Sequence, residues 1–290
     1  MIGAVLAMTT AVGLGLTAAD TAVGRSPDAG KFPADVHTYL EDPERTGEGQ
    51  EPPHTRLRPD GPDRARWERS LDGSWRFALA DRPEDAPGGF WKAGYDASAW
   101  QRVQVPHTWQ TDDLDHPVFR NVQSEMSPDD PPKVPRDTNP TGAYIRDITV
   151  PRDWDGRRQV IRFDGVTSGW FLWINGHYVG YDQGGYVPAE FDVTDYLRPG
   201  ATNRIAVQAH RWSAGSYLED YDQWRYAGIF RSVSLYSTPT TRMEDAYVTT
   251  DLDASYRDAT LRTEVDIART GSDKSGPPSG HRCALRPQGT

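Results

Sequence analysis

The chain has 290 residues, room for one large domain or two small ones. Its 42 acidic and 32 basic side chains leave a net charge of −10, which excludes a general nucleic-acid binder with a basic face. Ten Trp, 13 Tyr and 8 Phe exclude wholesale disorder, and a single Cys excludes a disulfide scaffold or a cysteine-ligated metal centre.

Ile2 to Ala19 carry no charge and are mostly small or aliphatic, which predicts a signal peptide over residues 1–24 and a secreted protein. The positive start of such a segment is missing, so an uncleaved membrane anchor is the alternative. Residues 25–66 are polar and rich in Pro and Gly, with no apolar period, and read as an extended arm lying over a domain or as a linker.

From 67 to 238 the period-2 signal recurs. Ser74–Leu79 alternates, with Trp75, Phe77 and Leu79 on one face. Tyr144–Val150, Gln159–Phe163, Arg204–Ala209 and Ile229–Tyr236 are further strands bounded by Gly, Pro and polar turns. Trp170–Ile174 and His177–Tyr181 flank Asn175-Gly176, a strong hairpin signal because both turn positions tolerate φ > 0. Many short strands at this spacing predict an all-β jelly-roll sandwich. Residues 239–270, with the alternating run Ala259–Ile267, read as the first strands of an incomplete immunoglobulin-like sandwich. Residues 271–290 differ from the rest: seven are Gly or Pro, the local charge is +2, and the lone Cys283 lies here. They read as a disordered tail, or as an aberrant one left by truncation or a frameshift.

No phosphate-binding loop, dinucleotide glycine fingerprint, nucleophile elbow or His-Glu-x-x-His occurs. The seven His residues are scattered, with none at i, i+4, so spacing gives no zinc site.

Ordered strings carry a family likeness: Leu71-Asp-Gly-Ser-Trp-Arg-Phe77, Val105-Pro-His-Thr-Trp-Gln110, Phe119-Arg-Asn-Val122, Asn139-Pro-Thr-Gly-Ala-Tyr144 and Trp173-Ile-Asn-Gly176. The longest run spans Arg211 to Arg231 and contains Leu218-Glu-Asp-Tyr-Asp222. Over about residues 35–270 the chain resembles the N-terminal sugar-binding domain of family 2 glycoside hydrolases, in particular the large bacterial β-galactosidases. The resemblance implies a retaining glycosidase acting on terminal β-galactosides such as lactose, with two catalytic Glu about 5–5.5 Å apart in a TIM barrel. A barrel needs roughly 250 residues. Only about fifty follow the jelly roll here, so the chain is expected to lack both Glu and to be inactive alone, as an N-terminal fragment.

The resemblance also implies site residues. Asn121 corresponds to an asparagine that hydrogen-bonds the sugar, and Asp222 to an aspartate that ligates sodium near the galactosyl 6-hydroxyl. An amide suits a diol because it donates and accepts, and a carboxylate suits a hard cation. Sodium, magnesium and a homo-oligomeric state are implied for the complete enzyme, with the later domains as partners and no nucleic acid. Ala214 stands where relatives carry Asp, which argues against a divalent-metal site there. Glu219 and Asp220 read as a solvated loop, and Trp109, Trp212 and Trp224 as core or rim aromatics rather than sugar platforms. Two alternatives are a β-glucuronidase or β-mannosidase of the same family and a non-catalytic carbohydrate-binding module.

Overall fold

A computed structural model describes residues 32–55, 62–120, 130–219, 222–270 and 281–285. The predicted signal segment and residues 271–280 and 286–290 of the tail lie outside it. Among the described residues no helix is long and apolar enough to cross a membrane.

The chain divides into two compact units. The larger comprises residues 26–51 and 61–238. Its strands, in chain order, are β1 (Gly47–Glu48), β2 (Glu68–Ser70), β3 (Gly73–Ala80), β4 (Gln101–Val105), β5 (Val118–Arg120), β6 (Thr141–Thr149), β7 (Arg158–Phe163), β8 (Gly169–Ile174), β9 (His177–Asp182), β10 (Ala189–Asp192), β11 (Thr202–His210), β12 (Gln223–Arg225) and β13 (Val233–Thr238). A seven-stranded sheet of order β1-β9-β8-β11-β6-β3-β4 packs on a four-stranded sheet of order β10-β7-β13-β2, and β12 and β5 form a separate two-stranded ribbon. This is an all-β jelly roll.

The sequence explains the layers. In β3, Trp75 and Phe77 turn inward and are fully buried. Trp170, Leu172 and Ile174 of β8 and Val207 of β11 meet Ile161 and Phe163 of β7, Phe191 of β10 and Leu235 of β13 in the inter-sheet core. The outer face of the large sheet is also covered. Phe171 and Trp173 of β8 and Tyr181 of β9 pack under Tyr39 and Leu40 of the arm and Phe90. Every residue of β8 is therefore buried, which is why Gly169-Trp-Phe-Leu-Trp-Ile174 reads as a continuous apolar run rather than an alternation. Phe32 adds ring contacts 5.2 Å from Phe171 and 5.0 Å from Trp173. The polar arm thus contains a sparse apolar ridge of Phe32, Val36, Tyr39 and Leu40, whose last two members form part of the short helix α1 (His37–Leu40).

The Asn175-Gly176 turn is as the sequence predicts, with φ of 52° and 87° at its two residues. The Asn175 side chain donates to the Tyr196 carbonyl at 2.8 Å and accepts from the Arg204 amide at 2.9 Å, which locks the hairpin to β11.

The smaller unit contains residues 52–60 and 239–290. Its strands β14 (Thr241–Leu252), β15 (Ala259–Arg269) and β16 (His281–Leu285) form an antiparallel sheet in that order. The Thr55 amide donates to Asp245 at 2.9 Å. The pairing of β16 corrects the reading of residues 271–290 as a wholly unstructured tail. The second edge of β15 offers unpaired backbone groups, and His281–Leu285 satisfies five positions of it, from Ile267 to Thr263.

Gly180 sets how closely the arm docks. A Cβ at this position would overlap the Glu48 carbonyl of β1 and press on Phe191. Gly180→Ala is expected to expel β1 and to destabilise the larger unit by about 1–3 kcal/mol. Urea unfolding with limited proteolysis checks this: new cleavage should appear near residues 45–50, and an unchanged cleavage pattern would contradict it.

Candidate functional site

The ribbon of β5 and β12 carries the residue the sequence singles out. Its register sets Trp224 opposite Phe119 and Gln223 opposite Arg120. Asp222 precedes the first paired residue of β12 and is exposed. Asn121 lies outside the described residues. Arg120, at the end of β5, pairs with Gln223, the residue after Asp222.

Alternation in β12 sorts its residues. Gln223 and Arg225 turn inward: the Gln223 amide donates to the Tyr186 hydroxyl at 2.8 Å, and Arg225 donates to the Glu219 carbonyl. Trp224 and Tyr226 fall on the other face, and Asp222, just before the strand, is exposed. Trp224 is 47 % exposed, Tyr226 37 % and Phe119 45 %. The Trp224 and Tyr226 rings are nearly parallel, 5° apart in plane with centroids separated by 6.5 Å. Phe119 meets Trp224 edge-on at 5.3 Å. A carboxylate followed by a row of three exposed rings is the result.

Several contacts hold this ribbon. Buried Arg211 pairs with Asp115 at 2.7 Å and donates to the His116 carbonyl, fixing the approach to β5. The Gln110 side chain accepts from the Ala227 amide, and the Trp109 amide donates to the Ala227 carbonyl. Gly228, at φ 122°, packs where a Cβ would meet the His107 carbonyl at 3.1 Å. Trp109 and Trp212 are buried core residues, as their sequence reading holds.

Glu219 departs from its reading as part of a solvated loop. It is half-buried, and its carboxylate accepts backbone hydrogen bonds from Gly185 and Tyr186. Burial outweighs those bonds and the nearby Arg225 charge, pushing its pKa from 4.5 up to about 7. No local pattern signals this, because the burying turn lies some thirty residues earlier in the chain. The period-2 row Asp222-x-Trp224-x-Tyr226 was legible, but only the strand assignment turns it into a face.

Ala214 is buried, and its amide donates to the Leu40 carbonyl. Beside it the Gln183 amide donates to the Asp42 and Arg45 carbonyls at 2.9 and 2.7 Å and accepts from the Gly215 amide at 3.2 Å. The polar atoms here are satisfied within the protein, and no carboxylate is present at 214, so the residues do not fit a divalent ion. Among the described residues no group of three or more His, Cys, Asp and Glu is arranged to hold a metal ion.

The profile described as "Glycosyl hydrolases family 2, sugar binding domain" matches residues 68–239. The chain belongs to glycosyl hydrolase family 2. This family 2 chain is 44 % identical over 201 residues to a β-galactosidase of Vibrio cholerae, a match covering 69 % of the chain and 19 % of that relative. It is 46 % identical over 201 residues to the β-galactosidase of Photobacterium profundum, again covering 69 % and 19 %. The chain spans about a fifth of the length of the curated relatives it matches. Among solved structures, Bacteroides uniformis β-glucuronidase 2 superposes with a TM-score of 0.56 at 20 % identity, over 77 % of this chain and 26 % of that one. At that identity the likeness concerns the fold alone.

Between pH 4.5 and 7 folded Glu219 keeps a proton that the unfolded chain has lost, so it makes stability fall as pH rises through that window. Glu219→Gln should remove this slope, worth about 1.4 kcal/mol per pH unit at most. Denaturant unfolding of chain and variant across pH 4–8 checks it. The stability difference in favour of Gln should grow up to about pH 7 and then level off. A difference independent of pH would contradict it.

Proposed function

We propose that this chain is the sugar-binding N-terminal part of a secreted β-galactosidase that hydrolyses terminal β-galactosides with retention. The observation that carries the reading is the identity above 40 % to β-galactosidases over 201 residues, 69 % of the chain. The glucuronidase alternative rests on fold likeness alone. Export rests on the uncharged run Ile2–Ala19. The two catalytic carboxylates of the retaining double displacement would belong to a barrel beyond this chain, which alone would be inactive.

The part played by the chain's own residues is substrate placement. Asn121 would donate to and accept from sugar hydroxyls. Asp222 would accept from the sugar 6-hydroxyl region and offer one oxygen to a sodium ion. A single exposed carboxylate fits one corner of a hard monovalent cation's oxygen shell, the others coming from carbonyls, water and the sugar. Sodium, when bound, supplies a fixed positive charge that orients sugar oxygens. Such contacts raise the rate by holding the substrate in reactive geometry rather than by bond chemistry. The complete enzyme would be a homo-oligomer.

The exposed row of Phe119, Trp224 and Tyr226 favours a second reading, a carbohydrate-binding module that holds glycans by itself. Kinetics on the protein from the full reading frame separate the readings. A β-galactosidase should cleave nitrophenyl β-galactoside far faster than the β-glucuronide or β-mannoside. Asp222→Ala should lower kcat/KM on the order of tenfold to a hundredfold and abolish the response to sodium. Preference for the glucuronide, or an intact sodium response in the variant, would overturn the proposal. Lactose binding without turnover would favour the module.

A further inference from the structure

We propose that the outer face of the large sheet carries an anion-binding site for a sulfate or phosphate group, built around Arg76 and Arg102. The site is an open cavity of about 420 Å³ under the turn at residues 95–98, within the size range of small-molecule sites. None of its lining residues belongs to the ribbon that carries Asp222.

Backbone register creates the site. Arg76 of β3 pairs directly with Arg102 of β4, so two guanidinium groups stand opposite each other on one face. Like charges in directly opposed positions destabilise a sheet. Two other arginines of this unit answer carboxylates: Arg204 grips Asp147 through Nε and Nη2 at 2.9 and 3.1 Å, and Arg162 pairs with Asp164 and Glu190. Arg76 and Arg102 form no ion pair among the described residues. Arg76 donates from Nη1 to the Ser98 and Trp100 carbonyls at 2.8 and 3.5 Å, and Arg102 from Nη1 to the Ser74 hydroxyl at 3.1 Å.

Each guanidinium has five N–H donors, so most of this pair's capacity is left for a ligand. The cavity is lined by four arginines against two aspartates, a local positive excess in a chain of net charge −10. One aspartate, Asp147, is already committed to Arg204. The other, Asp96, accepts from the Ser98 amide at 2.8 Å, and that bond, more than the nearby Arg76, holds its carboxyl below the usual range. Two forks from adjacent strands offer more donors than one carboxylate edge uses, and they match the acceptor-rich oxygens of sulfate or phosphate. The anion would relieve the repulsion that the register imposes.

Titration calorimetry of the 290-residue chain tests this, with sodium sulfate, galactose 6-sulfate and neutral galactose as probes at constant ionic strength. Saturable millimolar sulfate binding is expected. It should weaken on the order of tenfold in Arg102→Gln and in Arg76→Gln, and less in Arg102→Lys, which keeps the charge but loses the fork. Arg82→Gln, which breaks the exposed Arg82–Asp85 pair, should leave it unchanged. Tighter binding of the sugar sulfate would mean that the anion is carried on a sugar, and tighter binding of sulfate that it is free. Because Arg102 is exposed on strand β4, its variants should stay folded and, in low-salt buffer without sulfate, melt no lower than the parent. Absence of saturation, or equal affinity in Arg102→Gln and the parent, would overturn the proposal.

Discussion

The burial of β8 on both faces is the constraint on which the rest of the larger unit depends. Trp170, Leu172 and Ile174 fill the space between the sheets, while Phe171 and Trp173 need a cover on the other side. Burying one large side chain stabilises by about 1.5–3 kcal/mol, so leaving the outer aromatics in water would remove much of a domain's margin. The arm supplies the cover with Tyr39 and Leu40, and its next residues extend the sheet as β1. Buried Arg158 then ties the arm through Glu51 at 2.7 Å and the β10 residue Asp192 at 2.9 Å. Single-partner loss there would strand a buried charge, so the pair specifies the docked geometry more than it adds stability.

A sheet held from both sides can carry a function on its margins. The ribbon of β5 and β12 contributes little to the core, and its Phe119, Trp224 and Tyr226 rings are exposed. Its precision comes from below, through the Arg211–Asp115 pair and the backbone bonds at Ala227. The same logic applies to the cavity at Arg76 and Arg102, where rigid strands fix two charges that would otherwise part. In both places the strand ladder fixes the positions of the side chains it presents.

The jelly roll was legible because its signals are local. Alternation in Ser74–Leu79 and the Asn175-Gly176 turn each follow from a few adjacent residues, and the structure uses both as read. Asp222 stands out through the family likeness alone, and the structure places it exposed at the start of the ribbon strand β12. Long-range features were hidden. The apolar ridge of the arm is spread among charges, so composition masked it. Burial of Glu219 depends on a turn distant in sequence, and the Arg76–Arg102 pairing depends on the register across an intervening loop. The strand at His281–Leu285 has no local signal, because its partner, the free edge of β15, is a tertiary property.

Native-state hydrogen exchange on Leu40→Ala tests the central constraint most directly, since Leu40 is completely buried against the outer face. If the arm is integral to the sheet, amides of β8, β9 and β11 should lose protection together, by about the 2–5 kcal/mol that such a truncation costs. Loss confined to the arm, with β8 protection unchanged, would contradict the account.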